Sequence, residues 1–205
     1  MKIYKRPCQG DIARALELYV WNTQVGAAFG ESLGFLEVAL RNTLAGRMHA
    51  RHTHRGRPRS WLDDPANELS SKAIKDIETA RCRIRRKQKP LTEDQIIAEL
   101  SFGFWRYLLA KRYQTTLWID LYRGFDAIPG KEQRHTIEAR VTRLHEFRNR
   151  LAHHEPVWNK PLQGRIDDIR DVLTYIEPQA ATWWNIRYCR INTLLTTCPV
   201  RRPHP

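Results

Sequence analysis

HEFRNRLAHHEPVW, residues 145–158, sets a dense group of ionisable side chains at the end of an apolar helix pattern. Before and within it, apolar residues recur at the spacing of an inward-facing helix surface: Ile137, Val141, Leu144 and Leu151. Arg148 occupies the next position on that surface, where a buried guanidinium is costly unless it is paired. Because Pro156 disfavours helical geometry at Glu155, the helix is expected to end near His154.

The polar side chains of this helix point in different directions. Asn149 and His153 are four residues apart and share a face with His145, one turn earlier. Arg148 and His153 are five apart, so they diverge by roughly 140° at about 100° per residue. One straight helix therefore presents them poorly to a single small anion. Two copies related by a two-fold axis would bring two arginines and two histidines into one cleft, because every residue of such an interface occurs twice.

The segment resembles HEPN domains, which share an arginine, a polar residue, three further residues and a histidine. RNRLAH, residues 148–153, fits that motif, and HEPVW, residues 154–158, is similar to the Abi-like (abortive infection) branch of the group. Two upstream segments are similar to Abi-like proteins and stand in the same order: FLEVALRN, residues 35–42, and LSFGFW, residues 100–105. The resemblance implies an all-α, dimerising domain that cleaves RNA without a metal or other cofactor.

The resemblance also assigns the chemistry to Arg148 and His153. RNA carries its own nucleophile, the 2′-hydroxyl, so cleavage needs a base for that proton and an acid for the leaving 5′-oxygen. Histidine suits both proton roles near neutral pH, and arginine offers a charged donor fork to phosphate oxygens. Asn149, on the face of His153, is a candidate to fix the tautomer of the imidazole. The expected products are a 2′,3′-cyclic phosphate and a 5′-hydroxyl.

Neighbouring residues are candidates for supporting roles. His154 is a second candidate for proton transfer, and Glu155 is a candidate to hold a histidine in place. Glu146 and Arg150, four apart, are predicted to form a surface pair.

In the upstream segment, Glu37 and Arg41 have the spacing of an exposed helix pair. Alternatively, Arg41 or Asn42 braces the region of Arg148. An architectural alternative also stands, in which Arg148 pairs with a buried acid such as Glu37 and His153 only ends the helix near its negative pole.

The composition favours a polyanionic partner. The chain has 35 Lys and Arg against 22 Asp and Glu, a formal charge of +13, and this bias favours nucleic acid. The four cysteines are scattered, no apolar run reaches the roughly 18 residues of a membrane span, and no secretory signal is recognisable. We therefore expect a cytoplasmic protein with free thiols and no membrane partner.

Two clusters of basic residues are candidates for RNA binding. The first is predicted to lie partly on a loop: Arg51, Arg55, Arg57 and Arg59. The second ends a predicted helix and would present an ordered row of charges: Arg81, Arg83, Arg85, Arg86 and Lys87. The first cluster is equally compatible with a solvated surface loop, and a charge run such as the second is more often a solvated helix face than a binding groove.

Helical periodicity extends over the rest of the chain. A first helix from Asp11 is expected to bend or break within residues 23–34, which contain three glycines, and a second runs over residues 31–52. Further helices are expected from Pro65 to Pro90, from the capping residue Thr92, and over residues 117–122.

The aromatic segment at residues 102–109 is predicted to be core. A helix begins near Lys131 after a loop at residues 125–130, another over 166–176 exposes Asp167, Asp168 and Asp171, and a last one covers 180–195. No strand-like alternation appears. The sequence predicts one all-α domain over residues 1–195, a HEPN-like helical bundle with additional peripheral helices, followed by a frayed Pro- and Arg-containing tail at 196–205.

Three functions fit these observations. The first is a metal-independent endoribonuclease that acts as a toxin or phage-defence effector, is a homodimer and is restrained by a protein or RNA antitoxin. The second is a non-catalytic RNA-binding helical dimer, and the third is a dimer whose Arg148 and His153 are purely architectural. Replacing His153 with alanine separates them, since only the first has cleavage to lose.

Overall fold

The computed structural model of the chain describes residues 1–125 and 133–200. Its α-helices are α1 Lys2–Lys5, α2 Ile12–His54, α3 Ser71–Arg86, α4 Glu93–Glu99, α5 Phe102–Leu108, α6 Trp118–Leu121, α7 Gln133–Ala152, α8 Leu162–Ile176, α9 Pro178–Arg187 and α10 Arg190–Thr196. None of the described residues lies in a strand, so the predicted all-α class is confirmed. No helix in the described part of the chain is long and apolar enough to span a membrane.

The chain packs into two compact units. One unit combines Met1–Leu36 with Arg140–Pro205, and the other comprises Glu37–Ala139. Helices α2 and α7 each contribute residues to both units. The single domain predicted for residues 1–195 stays a prediction.

Helix α2 is continuous over 43 residues, so the predicted break within residues 23–34 is wrong. Each interior glycine costs about 1 kcal/mol of helix propensity relative to alanine. Burial of a large apolar side chain contributes about 1.5–3 kcal/mol, and the neighbours Phe29, Leu33 and Leu36 are each at most 2% exposed. Packing on these side chains therefore outweighs the glycines. The predicted inner face of the second helix is also buried: Leu33, Leu36, Leu40, Leu44 and Met48.

Helix α3 begins at Ser71 and not at Pro65. Asp64 has a left-handed backbone, with φ of 45°, and its carboxylate accepts hydrogen bonds from the amides of Glu68 and Leu69. That turn satisfies the local backbone without a helix. The helix starts only where Ser70 accepts a hydrogen bond from the amide of Ala73.

Two N-caps divide the following segment. Thr92 accepts from the amide of Gln95, which confirms the predicted start of α4. Ser101 accepts from the amide of Phe104 and starts α5. The aromatic segment is core as predicted except at the half-buried Tyr107; five of its side chains are at most 1% exposed: Phe102, Phe104, Trp105, Leu108 and Leu109.

The C-terminal region contains two helices where one was expected over residues 180–195. Pro178 occupies the first turn of α9, where its missing N–H costs nothing, and Glu177 caps that helix. Within the expected tail, Val200 is buried at 8% exposure and Arg14 donates to the carbonyl of Pro199, so the part up to residue 200 is packed and not frayed. The expected loop beyond residue 125, the helix start at Lys131 and residues 201–205 lie outside the described residues.

Candidate active site at the end of helix α7

Arg148 is exposed, so its predicted place on the buried face of α7 is wrong. Positions 147 and 148 both lie three or four residues from Leu144 and Leu151, so the spacing alone fits either side chain. Phe147 takes the buried position at 5% exposure and packs edge-on against Phe29, with the ring centroids 5.0 Å apart. Burying the apolar ring leaves the guanidinium in solvent, where its charge carries no burial penalty.

Arg148 differs from the other arginines of α7 in its electrostatic surroundings. Four of them form ion pairs with carboxylates: Arg134 with Glu138, Arg140 with Asp171, Arg143 with Asp168, and Arg150 with Glu155. Among the residues that the structure describes, Arg148 has no such partner. Its charge therefore remains available to an anion from outside the chain.

The end of α7 is fixed by a hydrogen-bonded cap. The amide of His154 donates to the carbonyl of Leu151 at 3.0 Å, and the amide of Glu155 donates to the carbonyl of Arg150 at 2.9 Å. His154 has φ of 53°, so the two bonds and the left-handed residue form a Schellman motif. The helix ends at Ala152, and His153 follows as the C-cap. The cap thus holds two exposed histidines in succession on an ordered backbone.

The predicted helpers of His153 have other partners. The Asn149 side-chain nitrogen lies 3.4 Å from Nε2 of His145, one turn back on the same face. The carboxylate of Glu155 accepts from Nη1 of Arg150 at 2.5 Å, so this acid is engaged by an arginine. That pair also replaces the predicted one between Glu146 and Arg150. In the described part of the chain, Asn149 bonds His153 through its backbone carbonyl, which accepts from the His153 amide at 3.0 Å.

The upstream candidates belong to the other unit. Glu37 and Arg41 are half-buried, and Asn42 is exposed. Nε of Arg41 lies 3.3 Å from the side-chain oxygen of Asn42 and donates to it. The bracing of Arg148 by this segment stays a prediction.

The first basic cluster is largely neutralised by acids. The side chain of Arg51 is 2% exposed and pairs with Glu68 at 2.5 Å and Asp120 at 2.9 Å. Arg57 pairs with Glu68 at 2.6 Å, and Arg55 lies 3.4 Å from Asp120. A buried arginine cannot reach a phosphate, so the prediction that Arg51 binds RNA is wrong. Arg59 is the exposed member that pairs with no acid among the described residues.

The second basic cluster divides into paired and free members. Arg81 pairs with Asp63 at 2.5 Å and with Glu78 at 2.6 Å, and Lys87 pairs with Glu99 at 2.7 Å. Three exposed arginines have no carboxylate partner in the described part of the chain: Arg83, Arg85 and Arg86. Arg83 and Arg86 are three residues apart and share a face of α3, whereas Arg85 points to another side, and all three remain open to phosphates.

Asp168 was predicted on an exposed acidic face, and that prediction is wrong. Its residue is 5% exposed, and its carboxylate accepts from Arg143 and from Nη1 of Arg165 at 2.7 Å. The hydrogen bond to Asp168 raises the pKa of Arg143. The sequence did contain a signal, because Asp168 stands four residues before Val172 and shares its side of α8.

Comparison of the chain with protein-family models, with curated proteins and with solved structures finds no match. The resemblance to HEPN and Abi-like proteins therefore stays an expectation that depends on residues 35–42, 100–105 and 145–158.

Proposed function

We propose that the chain is a metal-independent endoribonuclease with a HEPN-like helical bundle, acting as a toxin or phage-defence effector. The observation that carries this proposal is Arg148, an exposed guanidinium without a carboxylate partner among the described residues, on a helix whose other arginines are all paired. A permanently charged donor fork that is left free, on the helix that ends in a capped pair of histidines, suits a phosphate of the substrate.

The proposed reaction divides the roles between two copies of the chain. One His153 takes the proton of the 2′-hydroxyl, the 2′-oxygen attacks phosphorus, and the 5′-oxygen leaves with a proton from the second His153. Arg148 donates to the phosphorane oxygens that gain charge. Because Arg148 and His153 diverge on one helix, the complete site needs a homodimer. The products are a 2′,3′-cyclic phosphate and a 5′-hydroxyl.

Replacing His153 with alanine tests the proposal. Cleavage of single-stranded RNA should fall by about 10²-fold or more, because general acid–base catalysis contributes that much, while RNA binding is retained. Replacing Arg170, an exposed arginine that pairs with Asp167, provides a matched control with little effect. The assay includes EDTA, and product ends are identified by their resistance to phosphatase. Activity that EDTA abolishes and magnesium restores would overturn the mechanism.

The alternative function is a non-catalytic RNA-binding helical dimer. The exposed arginines at the end of α3, Arg83, Arg85 and Arg86, favour it, since a phosphate backbone would bind there without any chemistry at α7. This alternative predicts RNA binding by the unmodified chain with no cleavage to lose.

A toxin would also need a restraining partner, and an acidic protein or an RNA antitoxin would suit the charge of +13.

A further inference from the structure

A pocket of about 200 Å³ lies between α7 and the start of α8, on the unit that carries Arg148 and His153. We call it the α7–α8 pocket, and its lining residues are Arg143, Glu146, Phe147, Arg150, Lys160, Pro161 and Arg165. Four of these side chains are cationic and one is a carboxylate. None of the roles described above uses the pocket.

Asp168 fixes two of the four cations. Its buried carboxylate accepts from Nε of Arg143 at 3.0 Å and from Nη1 of Arg165 at 2.7 Å. One carboxylate thus holds two guanidinium groups, so the pair keeps an excess positive charge. Burial lowers the pKa of Arg165, the charge of Asp168 raises it, the charge of Arg143 lowers it and the charge of Glu146 raises it, with a net downward shift. An anion placed beside these groups would relieve their mutual repulsion.

The remaining charges lie at the rim of the pocket. Lys160 is half-buried and has no acid or hydrogen-bond partner for its amine among the described residues. Arg150 forms an ion pair with Glu155. Glu146 is exposed and forms no ion pair in the described part of the chain, although its charge acts on Arg165. Lys160 is therefore the cation most available to a ligand, and Glu146 is the group that would oppose an anion.

The position of the pocket relates it to the histidine of the proposed site. Glu146 and Arg150 are four residues apart and share one side of α7, and the C-cap His153 follows Arg150 by three residues. Arg148 lies on a different side of the helix. An anion in the pocket would therefore lie on the side of α7 that leads to the C-cap His153.

We propose that the α7–α8 pocket binds a backbone phosphate of single-stranded RNA, as a subsite beside His153. This inference rests on the proposed function for the identity of the polyanion. Lys160 and Arg165 donate to the phosphate oxygens, Asp168 positions Arg143 and Arg165, and Glu146 limits the affinity.

Two substitutions with opposite expected effects test the subsite. Both are made in the His153→Ala background with EDTA present, so that RNA is bound without being cut. Lys160→Gln should weaken binding of a fluorescein-labelled single-stranded RNA about three- to fivefold, as expected for loss of one accessible ion pair. It should also reduce the slope of log K against log salt by about 0.7, the loss of one phosphate contact. Glu146→Gln should tighten RNA binding. Lys160→Arg, which keeps the positive charge, should bind RNA with the affinity of the chain that has Lys160.

The control is Lys2→Gln, which removes the same charge from an exposed lysine of the same unit. Fluorescence anisotropy gives the affinities, and circular dichroism checks that each variant is folded. The subsite is overturned if Lys160→Gln weakens binding no more than Lys2→Gln does, or if Glu146→Gln weakens it. It is also overturned if inorganic phosphate stabilises the protein through Lys160 in thermal unfolding while RNA binding is unaffected, since the pocket would then take a small anion.

Cleavage by the unmodified chain is measured separately, so the two proposals can fail independently. Opposite shifts from Lys160→Gln and Glu146→Gln without any cleavage by the unmodified chain would leave the subsite standing and overturn the nuclease. Cleavage that depends on His153, with neither variant changing affinity beyond the control, would do the reverse.

Discussion

His154 combines an exposed imidazole with an unfavourable backbone conformation. Its φ of 53° follows the C-cap of α7, a position that glycine usually occupies. A left-handed conformation costs a residue with a Cβ about 1–2 kcal/mol. The side chain is exposed, so packing does not offset that cost. The histidine therefore adds an imidazole beside His153 while it weakens the end of the helix.

Replacing His154 with glycine should raise the free energy of unfolding by up to about 1 kcal/mol. The gain is limited because glycine also has more freedom in the unfolded chain. His153→Gly is the comparison: His153 does not have a positive φ, so glycine should destabilise there by about 0.5–1 kcal/mol. Urea denaturation measures both. A His154→Gly variant less stable than the unmodified chain would contradict the role of the backbone. If His154 shares in proton transfer, the same variant cleaves RNA more slowly although it is more stable.

Two arginines of α7 should respond in opposite ways to truncation. Arg148→Ala should change the free energy of unfolding by less than about 0.5 kcal/mol, because the side chain is exposed and unpaired among the described residues, yet it should reduce cleavage about 10²-fold. Arg143→Ala should destabilise by about 1–3 kcal/mol, because it removes a partner of the buried Asp168. Denaturation and cleavage assays on both variants separate the roles. Strong destabilisation by Arg148→Ala would instead support an architectural arginine.

Among the helices, those governed by local sequence are the ones that could be predicted. Helix α7 ends within two residues of the predicted position. This end could be predicted because the apolar spacing and Pro156 are both local features of the sequence. The sequence could not decide between Phe147 and Arg148 for the buried position, since both fit the spacing. The ion pairs that neutralise the basic residues join positions far apart in sequence, such as Arg51 with Asp120 or Arg143 with Asp168. Periodicity carries no information on such partners, so the free and the engaged arginines could not be distinguished.

The acid cluster around the end of α2 should make stability depend on pH. Burial raises the pKa of Glu68, but the hydrogen bond from Arg57 and the charges of Arg51, Arg57 and Arg55 together bring it below its ordinary value of 4.5. A carboxyl with a lowered folded-state pKa contributes stability above its ordinary pKa and loses it as the pH falls through the folded value. Below that range, protonation removes the contribution of Glu68.

Glu68→Gln should therefore destabilise the chain by about 1–3 kcal/mol at pH 7, since buried Arg51 loses one of its two acids. The difference from the unmodified chain should shrink once the pH falls below about 4.5, the ordinary pKa of the group. Urea denaturation at pH 7 and at two acidic pH values measures it. Glu78→Gln, at a side chain that is 51% exposed, is the control and should cost at most about 0.5 kcal/mol at any pH. A difference that grows on acidification would have the wrong sign.

The proposed chemistry requires a homodimer, because Arg148 and His153 are five residues apart and helical geometry would direct them to different sides of the chain. The particle in solution should then have twice the mass of the 24.2 kDa chain. A formal charge of +13 opposes self-association, so dimerisation should strengthen with salt, whereas RNA binding should weaken. Sedimentation at low and high salt measures the first effect.

Mixing two inactive variants tests whether the site is shared between subunits. An Arg148→Ala dimer would keep both His153 side chains and lack Arg148, and a His153→Ala dimer would keep both Arg148 side chains and lack His153. Subunit exchange would create a mixed dimer with one Arg148 and one His153 in the same cleft, so part of the cleavage activity should return. The matched control mixes Arg148→Ala with a chain that carries both Arg148→Ala and His153→Ala. No dimer in that mixture contains Arg148. Labelled subunits show whether exchange has occurred. If it has, and the first mixture stays as inactive as the control, the site is not shared between the two subunits.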